Sequence, residues 1–343
     1  MSNFVYKSSS RLNDAQIGRL ETPLKMIIEH ESDEEAKRGG PMDWLFNVER
    51  SKRFGETIVG GNEFDIFAAA EEGEAASQDT VYETYKKFIE HIQFMKEFTI
   101  TAQMMEDANY GVAADMRRRA ENFTRAYYKT MHRVCAQALA GATAASATIA
   151  GATVDLTTGD GKPLFSTEHV YGKTVSGVNK ASGTQSNYFK SADFFGSASA
   201  VEDTLYELAN KMLNMKDENG DPLGYTADTI VLPGNRPTLA KNVKKACGSD
   251  GALGNGYNDI NLQFGNWNII TLPIWQTTDD RLMIMSSAAN RNLSGNMFFN
   301  RVPLTISNDV DIHTGNYIWT GRCRFGVGFG TYKHILLATA EAE

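Results

Sequence analysis

Six histidines (His30, His91, His132, His169, His313 and His334) are the side chains best suited to ligate a metal or move a proton near neutral pH. A metal pair on one helix face needs two of them three to five residues apart. No two stand at that spacing, so the sequence offers no local metal site, and His132 reads as a packed or surface histidine. The run Asp217-Glu218-Asn219-Gly220-Asp221 leans toward calcium chemistry but lacks the alternate acids and terminal glutamate of a calcium loop, and reads as a turn. Gly254-Asn255-Gly256 and Gly326-Val327-Gly328-Phe329-Gly330 are glycine-rich, yet neither has the Lys-Ser/Thr pair or strand-to-helix setting of a phosphate cradle. In the second, glycine alternates with apolar residues, a pattern of close packing within a strand. Ser166 near His169 does not form a nucleophile elbow. The three cysteines, Cys135, Cys247 and Cys323, are scattered and odd in number, which fits free buried thiols rather than a disulfide framework or zinc knuckle. Local spacing thus provides no catalytic group, metal or cofactor site. An enzyme would have to assemble its site from distant residues.

The elements that could position such residues are organised around one stretch, Thr101 to Ala140. Apolar or small residues recur there at Met104, Ala108, Val112, Met116, Ala120, Phe123, Tyr127, Met131, Val134 and Ala138. The steps of three or four place them on one helix face. Arg117, Arg118, Arg125, Lys129 and Arg133 occupy the other. Gly111 marks a kink or restart, and Gly141 stands just past the last periodic residue, where helices often end. Roughly 38 residues at about 1.5 Å each would span nearly 60 Å, so the molecule is expected to be elongated.

Before this helix the chain is acidic and turn-rich. Residues 1 to 30 lack a clean period, although Leu20, Leu24, Ile27 and Ile28 could form a short amphipathic turn around Pro23. A charged run follows from Glu29 to Arg38 and breaks at Gly39-Gly40-Pro41, the signature of an arm. Residues 54 to 85 hold eight acids (Glu56, Glu63, Asp65, Glu71, Glu72, Glu74, Asp79 and Glu83) without lysine or arginine. Strand pieces are expected at Thr57–Val59 and Phe64–Phe67. Taken alone, this segment reads equally well as a solvated acidic loop. After Gly141, helices are expected at Ser197–Met215 and Pro237–Ala246. Strands are expected at Thr229–Pro233, Trp267–Trp275 and Leu282–Met285, with a run of strands over 297–337.

Composition narrows the function classes. A chain of 343 residues with 42% hydrophobic and 22% charged residues can bury a sizeable core. No run of 18 apolar residues predicts a membrane-spanning helix. A net charge of -8 argues against tight sequence-specific nucleic-acid binding.

The order of parts (arm, acidic extended loop, very long helix, mixed region, returning strands) resembles the major capsid protein of tailed bacteriophages, the Hong Kong 97 fold. The stretches that carry the resemblance are Phe94 to Ala108, Pro163-Leu164-Phe165-Ser166-Thr167-Glu168-His169, Met212 to Gly224 with Thr229-Ile230-Val231-Leu232-Pro233, and Asn300-Arg301-Val302-Pro303-Leu304 to Arg322-Cys323-Arg324-Phe325-Gly326. The resemblance implies an α+β fold with an N-terminal arm over 1–45 and an extended loop over 46–100. A spine helix of the peripheral domain would cover 101–144, an axial domain 145–300 and C-terminal peripheral strands 301–343. It implies copies of the chain in hexamers and pentamers, with a scaffold protein, a portal, a maturation protease and non-specifically contacted DNA as partners. It places the protein in the virion after synthesis in the host cytoplasm. Some relatives crosslink a loop lysine to a neighbour's asparagine. No lysine lies between Arg53 and Lys86, so that chemistry does not carry over.

A negative chain suits a DNA container, because a basic lining would hold the genome. Beyond the resemblance, the acids Glu63, Asp65, Glu71, Glu72 and Glu74 are expected to meet the basic helix face (Arg117, Arg118, Arg125, Lys129, Arg133) of a neighbouring copy; a simply solvated face is the equal alternative. An encapsulin-like compartment enclosing cargo shares the same fold. A soluble enzyme with a dispersed site is the reading from another class.

Overall fold

The computed structural model describes residues 4–7, 15–61, 67, 69–73, 75, 83–101, 103, 111–172, 183–247, 263 and 265–340. The first half carries β1 (Phe4–Lys7), α1 (Ala15–Arg38), α2 (Pro41–Leu45), β2 (Asn47–Arg50), β3 (Gly55–Gly61), β4 (Glu83–Glu90), β5 (Ile92–Ile100) and α3 (Gly111–Ala140). Five short strands follow: β6 (Ser146–Ile149), β7 (Ala152–Asp155), β8 (His169–Tyr171), β9 (Gly183–Gln185) and β10 (Tyr188–Lys190). Then come α4 (Ala198–Leu213), β11 (Thr229–Pro233), α5 (Pro237–Cys247), β12 (Asn268–Leu272), β13 (Arg281–Met285) and α6 (Ser287–Asn292). The chain closes with β14 (Asn296–Val310), β15 (Tyr317–Phe329) and β16 (Ile335–Thr339).

The alternation around Val302 and Tyr317 becomes the long antiparallel pair β14–β15. It forms the centre of a sheet ordered β1-β14-β15-β5, with β2 also on β14. Pro303 has no N–H for a ladder, and the register slips across it, between Val302 and Thr305, and again just before it, between Asn300 and Val302. That break divides one edge of β14. β2 pairs in parallel with Met297–Asn300, and β1 pairs in parallel with Leu304–Ser307.

Helix α3 packs on this sheet through the stripe its spacing predicts: Ala120, Phe123, Tyr127, Met131, Val134 and Ala138 are all buried. Phe98 of β5 stacks on Trp319 at 5.3 Å and meets Phe123 edge-on at 5.2 Å. The described helix starts at Gly111, the restart position, while Met104 and Ala108 lie outside the described residues. It stops at Ala140, one residue before Gly141.

Sequence and structure part at α1. The segment read as an irregular arm is a 24-residue helix that runs through Pro23 and lies along α3. Ile28 is buried, and Ser32 hydrogen-bonds the Tyr128 hydroxyl at 2.8 Å. Its weak periodicity is overridden by what α3 supplies from 96 residues away along the chain.

A second sheet is ordered β10-β16-β13-β11-β12, and every residue of β11 and β16 is buried. α5 makes the crossover from β11 to its parallel neighbour β12 and packs against α4. The Ser197 hydroxyl caps α4 by accepting from the Ala200 N–H at 3.1 Å. One apolar core runs through α3 and both sheets. The β3–β4 hairpin rests instead on its own small cluster of Ile58, Ile89, Met297 and Phe299.

Candidate functional site: surfaces for assembly

A buried histidine–carboxylate pair is the nearest thing to catalytic machinery, and its hydrogen bonds close it off. His169 is fully buried in β8. Its Nδ1 lies 2.7 Å from Asp160 Oδ2 and its Nε2 3.1 Å from the Leu164 carbonyl oxygen. Tyr332 stacks on the ring at 3.7 Å. With both ring nitrogens engaged and the ring itself fully buried, the imidazole presents no free nitrogen to a substrate. Burial pushes the Asp160 carboxyl up, but the bonds from His169 and Thr158 outweigh it and hold the group below the usual range. The thiols are equally inert: burial pushes Cys247 up to about 11 and Cys323 up to about 12. Among the described residues, no three His, Cys, Asp or Glu side chains could hold a metal ion. No helix among them is long and apolar enough to cross a membrane.

The His169 cluster instead supports the β3–β4 hairpin. Alternate residues of β4 point at the body of the molecule, as a strand requires. Tyr85 fills a slot beside the 158–160 turn, so tightly that a Cβ on Gly159 would run into its ring. Burial, then the charges of Glu218 and Asp160, push the Tyr85 phenol up to about 12. Lys87 is buried and reaches Asp155 Oδ2 at 2.5 Å and Thr157 Oγ1 at 2.6 Å. Ile89 lies over Gly326 and Gly328 of β15, where a Cβ on Gly326 would sit 2.8 Å from the Glu90 carbonyl oxygen. The alternating glycines of residues 326–330 therefore serve close packing, as their pattern suggests.

Of the residues expected to join copies, Arg117, Arg118, Arg125, Lys129 and Arg133 all lie exposed on α3. Partners within the chain hold Arg117 and Arg125 in particular. Arg117 pairs with Glu121 at 3.0 Å, one turn on, and Arg125 pairs with Glu31 of α1. The Arg125 guanidinium is held more firmly protonated by that bond. Sequence reasoning missed Glu31 because the charged run looked like a solvated arm; the acids of that run are part of a helix packed against α3. Lys129 and Arg133 have no carboxylate partner among the described residues. On the acidic side, Glu71 and Glu72 are exposed, while Glu63, Asp65 and Glu74 lie outside the described residues, as do residues 64–66 of the strand piece expected at Phe64–Phe67.

Residues 86–338 match the family model described as phage capsid protein. None of the curated proteins matches the sequence. Among solved structures, one from Mycobacterium phage Patience is similar with a TM-score of 0.54 at 15% identity, covering 98% of this chain and 90% of that one. The capsid of Cyanophage P-SCSP1u is similar at a TM-score of 0.50 and 12% identity, over 88% of each chain. The capsid of Ralstonia phage GP4 is similar at 0.50 and 10% identity, over 87% of this chain and 86% of that one.

Proposed function

The chain belongs to the phage capsid protein family, and from that membership we propose that it is the major head protein of a tailed phage or prophage, self-assembling into the icosahedral shell around a double-stranded DNA genome. The family match carries this reading. It runs from β4 to β16, through α3 and both sheets, and so spans the scaffold rather than one motif. The protein is a structural, capsid-forming subunit, and its work lies in its surfaces.

In the finer reading, α3 is the spine helix of a peripheral domain over 101–144, completed by C-terminal strands over 301–343. The second sheet, with α4 and α5, belongs to an axial domain over 145–300. Residues 46–100 contribute the extended loop, borne on the β3–β4 hairpin, and residues 1–45 the N-terminal arm, whose α1 lies along α3. Hexamers and pentamers of the chain, a separate scaffold, a portal and a maturation protease would be its partners. Symmetry would reuse each surface patch many times, so weak contacts add to a stable shell. The basic face of α3 is one such patch, through Lys129 and Arg133.

Sedimentation and negative-stain microscopy of the purified full chain, with and without a co-expressed scaffold, test this. Closed particles tens of nanometres across are expected, and their contents would separate a genome container from a cargo compartment. A small oligomer under both conditions would overturn the reading.

A further inference from the structure

On the outer side of the β5–β15 ladder, a short exposed patch continues onto the β3–β4 hairpin. Phe54 and Phe88 lie with ring centroids 6.4 Å apart and are 58% and 51% exposed. The Arg324 guanidinium sits 5.3 Å over the Phe54 ring. Arg322, two residues back along β15, shares the face of Arg324 and stands opposite Met95 of β5, which is 60% exposed. Arg53 adjoins Phe54 and is exposed. Two phenylalanines, a methionine and three arginines are the residue types that concentrate at the centres of protein interfaces. None of the three arginines has a carboxylate partner among the described residues. Exposed aromatic surface of this kind is not needed to fold the hairpin, whose buried side rests on Ile58 and Ile89.

We propose that this patch is an interface that takes an acidic surface of a second copy of the chain. The charges decide the occupant. Each copy carries 42 acidic against 34 basic side chains, so a second copy can offer the arginines a carboxylate-rich surface away from the basic face of its α3. Packaged duplex DNA would satisfy the arginines through its phosphates but offers nothing to two phenylalanines and a methionine. The inference rests on the capsid reading, because a shell supplies second copies at high local concentration. It names a surface separate from the basic face of α3. The pairing is head-to-tail, since a basic aromatic patch does not complement itself.

A photo-crosslinking amino acid answers the question directly. The full chain carrying Phe54→p-benzoylphenylalanine, irradiated under assembly conditions, is expected to give a covalent dimer whose second half maps to an acid-rich peptide. Particles without that dimer would overturn the patch and leave the capsid reading intact. The dimer without particles would do the reverse. No particles and no dimer would remove both. In parallel, Arg53→Glu with Arg322→Glu is expected to raise the protein concentration needed for assembly by about tenfold and flatten its salt dependence, while the unassembled subunit melts as wild type. An unchanged threshold with reduced DNA retention would assign the patch to nucleic acid and overturn the proposal.

Discussion

Lys87 and Asp155 form an ion pair whose two halves are not equivalent. The lysine side chain is 8% exposed and the aspartate 60%. Removing the lysine leaves an exposed carboxylate that water can solvate; removing the aspartate leaves a buried ammonium with Thr157 alone. Lys87→Met is therefore expected to be near neutral, and Asp155→Ala to cost about 1–3 kcal/mol, read from denaturant melts of the unassembled subunit. Equal losses would show that the pair is not buried in this sense. A second buried group sets the acid limit. His334 is fully buried and donates from Nε2 to Asn296 Oδ1 at 2.8 Å, and burial lowers its pKa from 6.5 to about 3. Above pH 6.5 the ring is neutral whether the chain is folded or not, so this residue adds no pH dependence. Below 6.5 the unfolded chain takes up a proton that the folded chain refuses, and stability falls by about 1.4 kcal/mol per pH unit toward pH 3. Thermal melts from about pH 7.5 to about pH 4.5 should show that slope for wild type and lose it in His334→Asn. A slope that survives in the variant would assign it to other groups.

At the scale of elements, the β3–β4 hairpin is the separable piece. It packs on its own cluster rather than the main core and reaches the body through Tyr85, Lys87 and Ile89. Gly326→Ala would push a methyl against the Glu90 carbonyl oxygen, backbone that cannot rotate away. The expected result is faster hydrogen exchange across β3 and β4 with α3 unchanged; uniform acceleration would mean that the hairpin and core unfold together. Legibility from sequence divides along the same physical line. α3, α4, α5 and β11 are legible because each buries one continuous face, and the period of that face is local information. α1 is not, because its burial is provided by α3, and a run such as Ser32-Asp33-Glu34-Glu35 looks solvated until its neighbour is known. The hairpin seat is not: no strand is expected over the residues that form β4 and β5, and nothing local says that Lys87 faces inward. Of the expected site, the basic residues do share one helix face, whereas the pairing of Arg125 with Glu31 depends on tertiary structure.

At the scale of the whole molecule, a shell subunit must keep charges for its neighbours while holding itself together, and under the proposed function α3 would do both with one face. Arg125 serves the subunit by tying α1 down. Arg133, two turns on, touches no carboxylate among the described residues. The two reversals should therefore fail differently. Arg125→Glu sets a second carboxylate beside the buried Glu31, so the unassembled subunit should melt earlier and α1 should become sensitive to protease. Arg133→Glu should leave that melt unchanged and act only when copies meet, raising the assembly threshold at low salt and losing its effect as salt screens the contact. If both variants assemble like wild type at every salt concentration, the basic face is solvated surface and assembly is driven elsewhere. If Arg133→Glu also lowers the subunit melt, the residue supports the fold and the division of labour along α3 is wrong. An effect of Arg133 confined to assembly, and steepest at low ionic strength, would mean that the helix organising the fold also presents its charge to the next copy.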